Sequence, residues 1–439
     1  MPKVALINPA VSSEQRYGKS AHQTMHHTPP QGLCYLAAVL RENGYDVTII
    51  DAETLAYTDE ELLDRVKEYA PDYLGVTSTI ATIYIVAEYV QLFRQNFKDI
   101  KIILGGPQLT ACPELTMKLF PDLDVGVLGE GEVTIVELLK ALENNKRLES
   151  CAGLIFARDG ELVRTAERDF ISNLDVLPIP AWDLLPELSK FYRTSDITYK
   201  RLPAFQVVTS RGCPYKCVFC DRSVFGNKWR SFSAEYVMRM VRELVNKYGI
   251  KDLNFADDEF LINKKRLRSI CRFLIDEKID LTWSAVGRVN SVTPELLKTA
   301  KEAGCHQIAF GLESGSQKIL DVLNKKLTKE DIIRGVRWTK EAGIEVKGLF
   351  MIGNPLETEE TIKETADLID MLDLDYISMS AFTPLPGAEI YETATKYGTF
   401  DDDWRKMNLW EHIFVPFGLS KEQLNNYVGR YSRRKSKTT

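Results

Sequence analysis

Short apolar strands alternate with amphipathic helices along most of this 439-residue chain, in two stretches of different period. In the first, over residues 1–150, strands are expected at 4–8, 47–51, 73–77, 101–105 and 124–128. Helices are expected between them at 32–43, 59–69, 82–96 and 134–144. Strand, helix, strand at this spacing demands right-handed crossovers and a parallel sheet covered on both faces. The expected fold class is therefore α/β, beginning with a flavodoxin-like doubly wound parallel sheet. Such sheets bind ligands at the carboxyl ends of their strands, at the switch point.

Residues 151–200 break the pattern. Asp159-Gly160 between apolar runs signals a hairpin, and Pro178, Pro180 and Pro186 suit an extended linker. From 201 the alternation resumes, with strands expected at 205–210, 252–257, 282–289, 306–313, 346–352 and 375–382. Helices are expected near 233–247, 263–277, 294–303, 329–342, 358–372 and 388–397, two of them stopped by Gly304 and Gly343. Six such units over 201–400 predict a partial (βα)6 barrel, whose chemistry gathers at the C-terminal ends of its strands. Residues 401–439, with Trp404 and Trp410, are left as a C-terminal extension. Its basic run, residues 430–437, reads as a solvated tail.

Directly after the first barrel strand comes Cys213-Pro-Tyr-Lys-Cys217-Val-Phe-Cys220. Cysteine is a soft ligand that suits zinc, Cu(I) or iron–sulfur clusters. Structural zinc usually has two paired Cys-x-x-Cys knuckles or added histidines. Here no fourth Cys or His is near; Cys271 and His306 are the next candidates, each on a different element. Three ligands without a fourth suit a cubane [4Fe–4S] cluster with one iron open to a small molecule. A structural zinc or a chance cluster is the bland alternative.

The other five cysteines, at 34, 112, 151, 271 and 305, are scattered and resemble no disulfide framework. A reducing cytoplasm is expected, and a labile cluster would need one. The content of 44% hydrophobic and 27% charged residues is that of a globular protein. The length indicates two or three domains. A net charge of −6 gives no reason to expect nucleic-acid binding. The N-terminal Met-Pro-Lys-Val-Ala-Leu-Ile-Asn-Pro reads as a buried strand rather than a signal peptide. No apolar run approaches the ~18 residues of a membrane span.

The cysteine loop, opening a six-unit βα barrel, resembles the radical S-adenosylmethionine (SAM) superfamily. Further motifs follow in order: Asp257-Asp-Glu-Phe260 after the second strand, Gly311-Leu-Glu-Ser-Gly315 after the fourth, residues 351–358 (Met-Ile-Gly-Asn-Pro-Leu-Glu-Thr) after the fifth, and Thr383-Pro-Leu-Pro-Gly387 after the sixth. With its N-terminal domain the chain resembles, over roughly residues 1–400, the cobalamin-binding branch of that superfamily. That branch holds methyltransferases and the anaerobic protoporphyrin ester cyclases.

The resemblance implies that Cys213, Cys217 and Cys220 hold three irons while SAM takes the fourth through its amino and carboxylate groups. Phe219 can lie against the adenine, or pack the loop. Glu313 can accept from ribose hydroxyls or the methionyl ammonium, while Ser314 can cap a helix. Arg288 can fork onto the SAM carboxylate, or sit in a salt bridge. In the triplet Asp257, Asp258 and Glu259, one carboxylate, here Glu259, is a candidate SAM contact or proton acceptor; an N-cap or an arginine partner is the alternative. Gly311 and Gly353 complete the SAM-binding candidates.

In the N-terminal domain a response-regulator reading fails, because Asn8-Pro9 and Thr77-Ser78-Thr79 stand where acidic residues are required. A nicotinamide reading lacks Gly-x-Gly-x-x-Gly. Glycine-rich strand ends remain, Gly105-Gly106-Pro107 and Gly129-Glu130-Gly131-Glu132, where backbone can closely approach a large planar ligand. Thr77, Ser78 and Thr79 add hydroxyls. The resemblance implies cobalamin here, with Asn8, Pro9, Pro30, Gly32, Leu33, Gln108, Glu130 and Glu132 as further binding candidates. The chain also departs from related cobalamin proteins. The Asp-x-His-x-x-Gly signature is absent, and His22, His26 and His27 do not match it. Cobalt would be unliganded below, water-bound, or held near a loop side chain. Gln108 stands where branch members often show histidine.

Chemically, the resemblance implies reductive cleavage of SAM to a 5′-deoxyadenosyl radical that removes hydrogen from an unactivated carbon. Methyl transfer from methylcobalamin is the leading expectation. Ring closure, oxidation or rearrangement, as in the porphyrin cyclases, is the alternative; a non-catalytic cluster or cobalamin carrier is a third. A low-potential electron donor of the flavodoxin or ferredoxin type is the expected partner, and the substrate is a small molecule or a protein.

Overall fold

The computed structural model describes residues 1–12 and 27–431. His22, His26 and the basic tail beyond Tyr431 lie outside the described residues. The chain divides into two compact units, one built on the N-terminal strand and residues 29–191, the other on residues 192–221 and from 227 onward.

In the first unit, five parallel strands run in the order β2-β1-β3-β4-β5: β1 (Lys3–Asn8), β2 (Asp46–Asp51), β3 (Tyr73–Thr77), β4 (Lys101–Gly105) and β5 (Val125–Val127). The chain reverses direction of assembly between β1 and β3, which makes their carboxyl ends the switch point. Strand β1 is buried over its whole length after Lys3, as Val-Ala-Leu-Ile requires in a doubly covered sheet. Helices Gln31–Glu42, Asp59–Tyr69, Ile83–Asn96 and Gly131–Glu143 cover it. Thr58 and Glu61 close a reciprocal capping box on the second of these. The Asp159-Gly160 hairpin forms, but it does not run free as part of a connector. Its strands β6 (Leu154–Arg158) and β7 (Glu161–Arg164) add antiparallel to β5, so the sheet has seven strands. The apolar Leu-Ile-Phe of β6 is buried in this way.

The second unit holds six parallel strands in simple sequential order: β8 (Ala204–Val207), β11 (Asp252–Phe255), β12 (Thr282–Gly287), β13 (Cys305–Glu313), β14 (Glu345–Ile352) and β15 (Tyr376–Ala381). Between the first two lie the short β9 (Ser210–Arg211) and β10 (Arg230–Ser231), paired antiparallel. Because β8 and β15 do not pair with each other, the barrel stays partial. Helices Ala234–Tyr248, Lys264–Asp276, Pro294–Glu302, Lys329–Glu341 and Glu359–Met371 pack outside. There Phe255, Phe260 and Trp283 stack together, and the Trp283 indole donates to Ala303 O at 2.9 Å. The α-helix expected at 388–397 is instead a 3-10 segment, Tyr391–Lys396. The Ile390 amide just before it bonds Val218 O at 3.1 Å. A helix the pattern did not predict, Gln317–Val322, follows β13. The chain ends in an antiparallel pair, β16 (Gly398–Phe400) with β17 (Phe414–Pro416), and the helix Lys421–Tyr431. Among the described residues no helix is long and apolar enough to cross a membrane.

Candidate active site

The strand entering the cysteine loop is fastened by Asp257. This carboxylate accepts from the Thr209 amide at 2.5 Å, the Thr209 hydroxyl at 2.7 Å and the Ser210 hydroxyl at 2.8 Å. Arg266 completes the clamp, donating to Thr209 O at 2.9 Å and to Phe232 O at 2.8 Å. Burial pushes the Asp257 carboxyl up, and the Arg266 charge opposes it. Asp257 therefore positions the loop, while Asp258 beside it is exposed. Gly212, at φ +77°, then turns the chain into the loop.

Within the loop Cys217 is buried, Cys213 half-buried and Cys220 exposed, and none of the three is in a disulfide. Asn324 holds Lys216 O at 2.6 Å, and the Val218 amide bonds Leu323 O at 3.2 Å. Arg288 lies against the loop with its guanidinium 3.8 Å from the Tyr215 ring centre and Nη1 3.8 Å from Cys217 Sγ. Its Nη2 donates to Lys325 O. The salt bridge named as the alternative for Arg288 is not what engages this side chain; a ring face and carbonyls do. Burial pushes the Cys213 thiol up, and the charges of Asp258, Glu259 and Cys217 add to it. Cys220 is pushed up to about 12 by burial and then by Cys217. A bound cationic centre would favour the thiolates that these surroundings otherwise disfavour.

Among the described residues no three His, Cys, Asp or Glu side chains converge as ligands of a single metal ion would. A cubane asks for something different, one thiolate for each of three irons and no protein ligand on the fourth. The two fourth-ligand candidates lie elsewhere. Cys271 is buried in the helix Lys264–Asp276. His306 is the second residue of β13 and lies 3.2 Å from Asp252 at the N-terminal ends of the strands, opposite the loop. The residues present fit an iron–sulfur cluster with one open iron.

Two buried carboxylates stand beside the loop. Glu259 accepts the Arg288 amide at 3.2 Å through Oε1, while its Oε2 has no hydrogen-bond partner. Burial pushes that carboxyl up to about 7. An orphaned buried oxygen of this kind suits a donor on a bound molecule. Glu313 forms a buried ion pair with Lys325 at 2.6 Å. It ends β13 at φ +63°, where the register breaks after Gly311. A Cβ on Gly311 would sit 2.5 Å from Glu313 Oε1 and 2.9 Å from Lys325 Nζ, so any side chain there must displace that ion pair. Lys325 Nζ also lies 5.8 Å from the Phe219 ring centre. Phe219 packs with Met351 against the buried Ile319, Leu323 and Phe382.

Ser314 caps no helix. It is fully buried, its hydroxyl 3.0 Å from that of Thr365, and it accepts the Ser316 amide. The helix Gln317–Val322 begins only after Ser316. Gly353, at φ +87°, donates its amide to Glu357, whose carboxyl burial pushes up to about 7. Sequence reasoning did not find Lys325, Tyr215 or Thr365. Lys325 meets Glu313 through a register break and an intervening helix, which no spacing rule registers.

In the first unit, the ends of β3, β4 and β5 bring Thr77–Thr79, Gly105–Gln108 and Gly129 side by side. Gly106, at φ +102°, packs so tightly that a Cβ would meet Ser78 O at 2.5 Å. Gly129, at φ +71°, faces open space. Gln108 is buried with its Nε2 unpartnered. A glycine cradle with an orphaned amide fits a large ligand such as cobalamin. Other candidates are already engaged or turned elsewhere. Asn8, beside the buried Pro9, donates to Asp51 at 2.8 Å and Glu53 at 3.3 Å. Ser78 donates to Gly105 O at 3.1 Å, and Glu130 accepts the Ile171 amide at 2.8 Å. Glu132 is buried, Thr79 and Pro107 are exposed, and Leu33 belongs to the core. Pro30 precedes the helix Gln31–Glu42, and Gly32 is exposed on its first turn.

Comparison with known proteins assigns a family to each unit. The radical SAM superfamily model matches residues 207–369, and the B12-binding domain model matches residues 23–139. An uncharacterized methyltransferase of Pyrococcus horikoshii is 36% identical over 93% of this chain and 88% of its own length. The anaerobic magnesium-protoporphyrin IX monomethyl ester cyclase of Cereibacter sphaeroides is 30% identical over 92% of this chain and 67% of its own. Among solved structures, the radical SAM methyltransferase TsrM of Kitasatospora setae, with cobalamin and a [4Fe–4S] cluster bound, shares the fold. Its TM-score is 0.73, at 20% identity over 90% of this chain and 75% of that one. This chain belongs to the radical SAM superfamily, in the branch that carries a B12-binding domain.

Proposed function

We propose that the protein is a cobalamin-dependent radical SAM C-methyltransferase acting on an unactivated carbon. In this reading Cys213, Cys217 and Cys220 ligate the [4Fe–4S] cluster, residues 201–400 hold it with SAM, and residues 1–150 hold cobalamin. When bound, the cluster and SAM supply a carbon-centred radical and cobalamin supplies a methyl carrier. The chain's own residues hold and orient. Arg288, stacked on Tyr215 and touching Cys217, keeps the loop in place and sets positive charge beside the thiolates. Glu259, through its orphaned oxygen, accepts an N–H of the methionyl amino group. Glu313 accepts ribose hydroxyls, its charge balanced by Lys325. Gly311 leaves the room these contacts need. Phe219 lies against the adenine, and Ser314 and Gly353 hold the backbone of the two neighbouring strand ends.

The carrying observation is the loop of three thiols that follows the first barrel strand, none of them in a disulfide. Similarity to a porphyrin ester cyclase supports a second reading, radical chemistry without methyl transfer. A reducing cytoplasm and a flavodoxin- or ferredoxin-type electron donor belong to either. The test is anaerobic reconstitution with iron, sulfide and hydroxocobalamin, then reaction with methyl-deuterated SAM, a strong reductant and candidate substrates. A product carrying the deuterated methyl group supports the transferase. 5′-Deoxyadenosine with an altered but unlabelled product supports the cyclase-like reading. An intact cluster that yields no 5′-deoxyadenosine overturns both.

A further inference from the structure

A parallel sheet is normally buried on both faces. The six-stranded sheet of the second unit is not. On one face Phe205, Phe255, Trp283, Phe310 and Val346 are all at most 1% exposed. The alternate residues of the same strands, among them Gln206, Asn254, Lys347, Met351, Ser378 and Ser380, are half-buried. The inner face therefore lines an open hollow. Its floor is neutral and polar: Asn254 donates to Gln206 at 3.3 Å, and Ser284 donates to Asn254 at 3.3 Å.

One layer higher stands a lone cation. Lys347 is in register with Ala309 on one side and Tyr376 on the other, and Ala309 with Val286. Its Nζ has one partner, the Thr198 hydroxyl at 3.4 Å, and no carboxylate of the described residues pairs with it. Lys325, which is buried, is by contrast neutralised by Glu313. Burial alone pulls the Lys347 amine down to about 8, which leaves it mostly charged at neutral pH. A desolvated charge without a counter-ion is costly. Nor is it needed to hold the segment carrying Thr198. Gln307 bonds Ile197 O at 2.9 Å and Asp252 accepts the Lys200 amide at 3.2 Å, which fasten that segment already.

We propose that Lys347 anchors an oxyanion, a carboxylate or a phosphate, at the far end of the substrate. The inference rests on the reading that this hollow receives the substrate. Lys347 lies five residues below the end of β14, roughly 17 Å at ~3.3 Å per residue. The lysine side chain covers part of that span. The substrate is then an elongated molecule with its anionic group deep in the hollow and its reacting carbon toward the cysteine loop.

The experiment uses the reconstituted holoenzyme, wild type, Lys347→Met and Lys347→Arg, with benzoate and phenyl phosphate as probes. Calorimetry measures binding, and mass spectrometry measures protection of Lys347 from reductive methylation. Saturable binding that protects Lys347, weakens about tenfold or more in Lys347→Met and returns in Lys347→Arg supports the proposal. Benzoate alone would point to a carboxylate substrate, and phenyl phosphate alone to a phosphorylated one. If neither anion protects Lys347, or Lys347→Met binds both as wild type does, the proposal is overturned. SAM cleavage without substrate keeps the two readings apart. Lys347→Met should still form 5′-deoxyadenosine, which shows an intact fold and SAM site. If the wild type forms none, the enzymatic reading fails while anion binding still decides the role of Lys347.

Discussion

Gly311 shows how little room separates a working site from a broken one. A methyl group there would press on both members of the Glu313–Lys325 pair, at 2.5 and 2.9 Å. Both are buried, so neither can withdraw into water, and an ion pair pulled apart in the interior costs several kcal/mol. Gly311→Ala should keep its iron, since no cysteine moves, while 5′-deoxyadenosine formation falls about tenfold or more. Equal rates for the two proteins would remove Glu313 from the SAM site. His412 offers a second test, of stability rather than chemistry. It is buried, and burial first, then Lys421, lowers it to about 4, opposed by a hydrogen bond with the Leu424 backbone. Between pH 6.5 and 4 the unfolded chain takes up a proton that the folded chain refuses. Stability from this group is thus complete above pH 6.5 and lost as pH falls toward 4, by up to about 3 kcal/mol. In a cluster-free Cys217→Ala background, His412→Leu should flatten the fall in urea midpoint over that range. An unchanged slope would show that His412 titrates normally.

At the level of the elements, the loop depends on how its entering strand is held. Asp257 accepts three hydrogen bonds from Thr209 and Ser210, and Arg266 grips the same stretch from the other side. Asp257→Asn turns one acceptor into a donor facing donors, at a cost of ~1–3 kcal/mol. The expected result is lower iron incorporation with far-ultraviolet circular dichroism unchanged, because the strand survives and its exit angle does not. Full iron loading would make Asp257 dispensable. Much of this architecture was legible beforehand. The β1 run Val-Ala-Leu-Ile is apolar without alternation, as a strand buried on both faces must be, and β3 and β4 end where the pattern ends. The three-thiol loop was legible because its spacing is local. What escaped was set by tertiary register. Lys325 reaches Glu313 only because β13 breaks step, and Ser314 lies against Thr365 of a helix dozens of residues away. The Asp159-Gly160 hairpin was visible as a turn, but which edge it joins depends on the exposed side of β5.

For the molecule as a whole, each unit presents a site at the carboxyl ends of its own parallel strands, with glycines where side chains would intrude. The two sites should therefore be separable by mutation. Gly106→Val places a branched side chain against Ser78 and Thr77, and it should abolish retention of hydroxocobalamin while iron content stays at the wild-type level. Loss of both would mean that the first unit supports the second, and loss of neither that the cradle is not the corrin site. The central claim, that three cysteines hold a cluster whose fourth iron is open to SAM, has a direct spectroscopic measure. Mössbauer spectra of anaerobically reconstituted protein should show a [4Fe–4S] cluster in which one iron changes its environment when SAM is added, and none in Cys217→Ala. A mononuclear metal at those sulfurs, or a cluster whose four irons are equally indifferent to SAM, would contradict it.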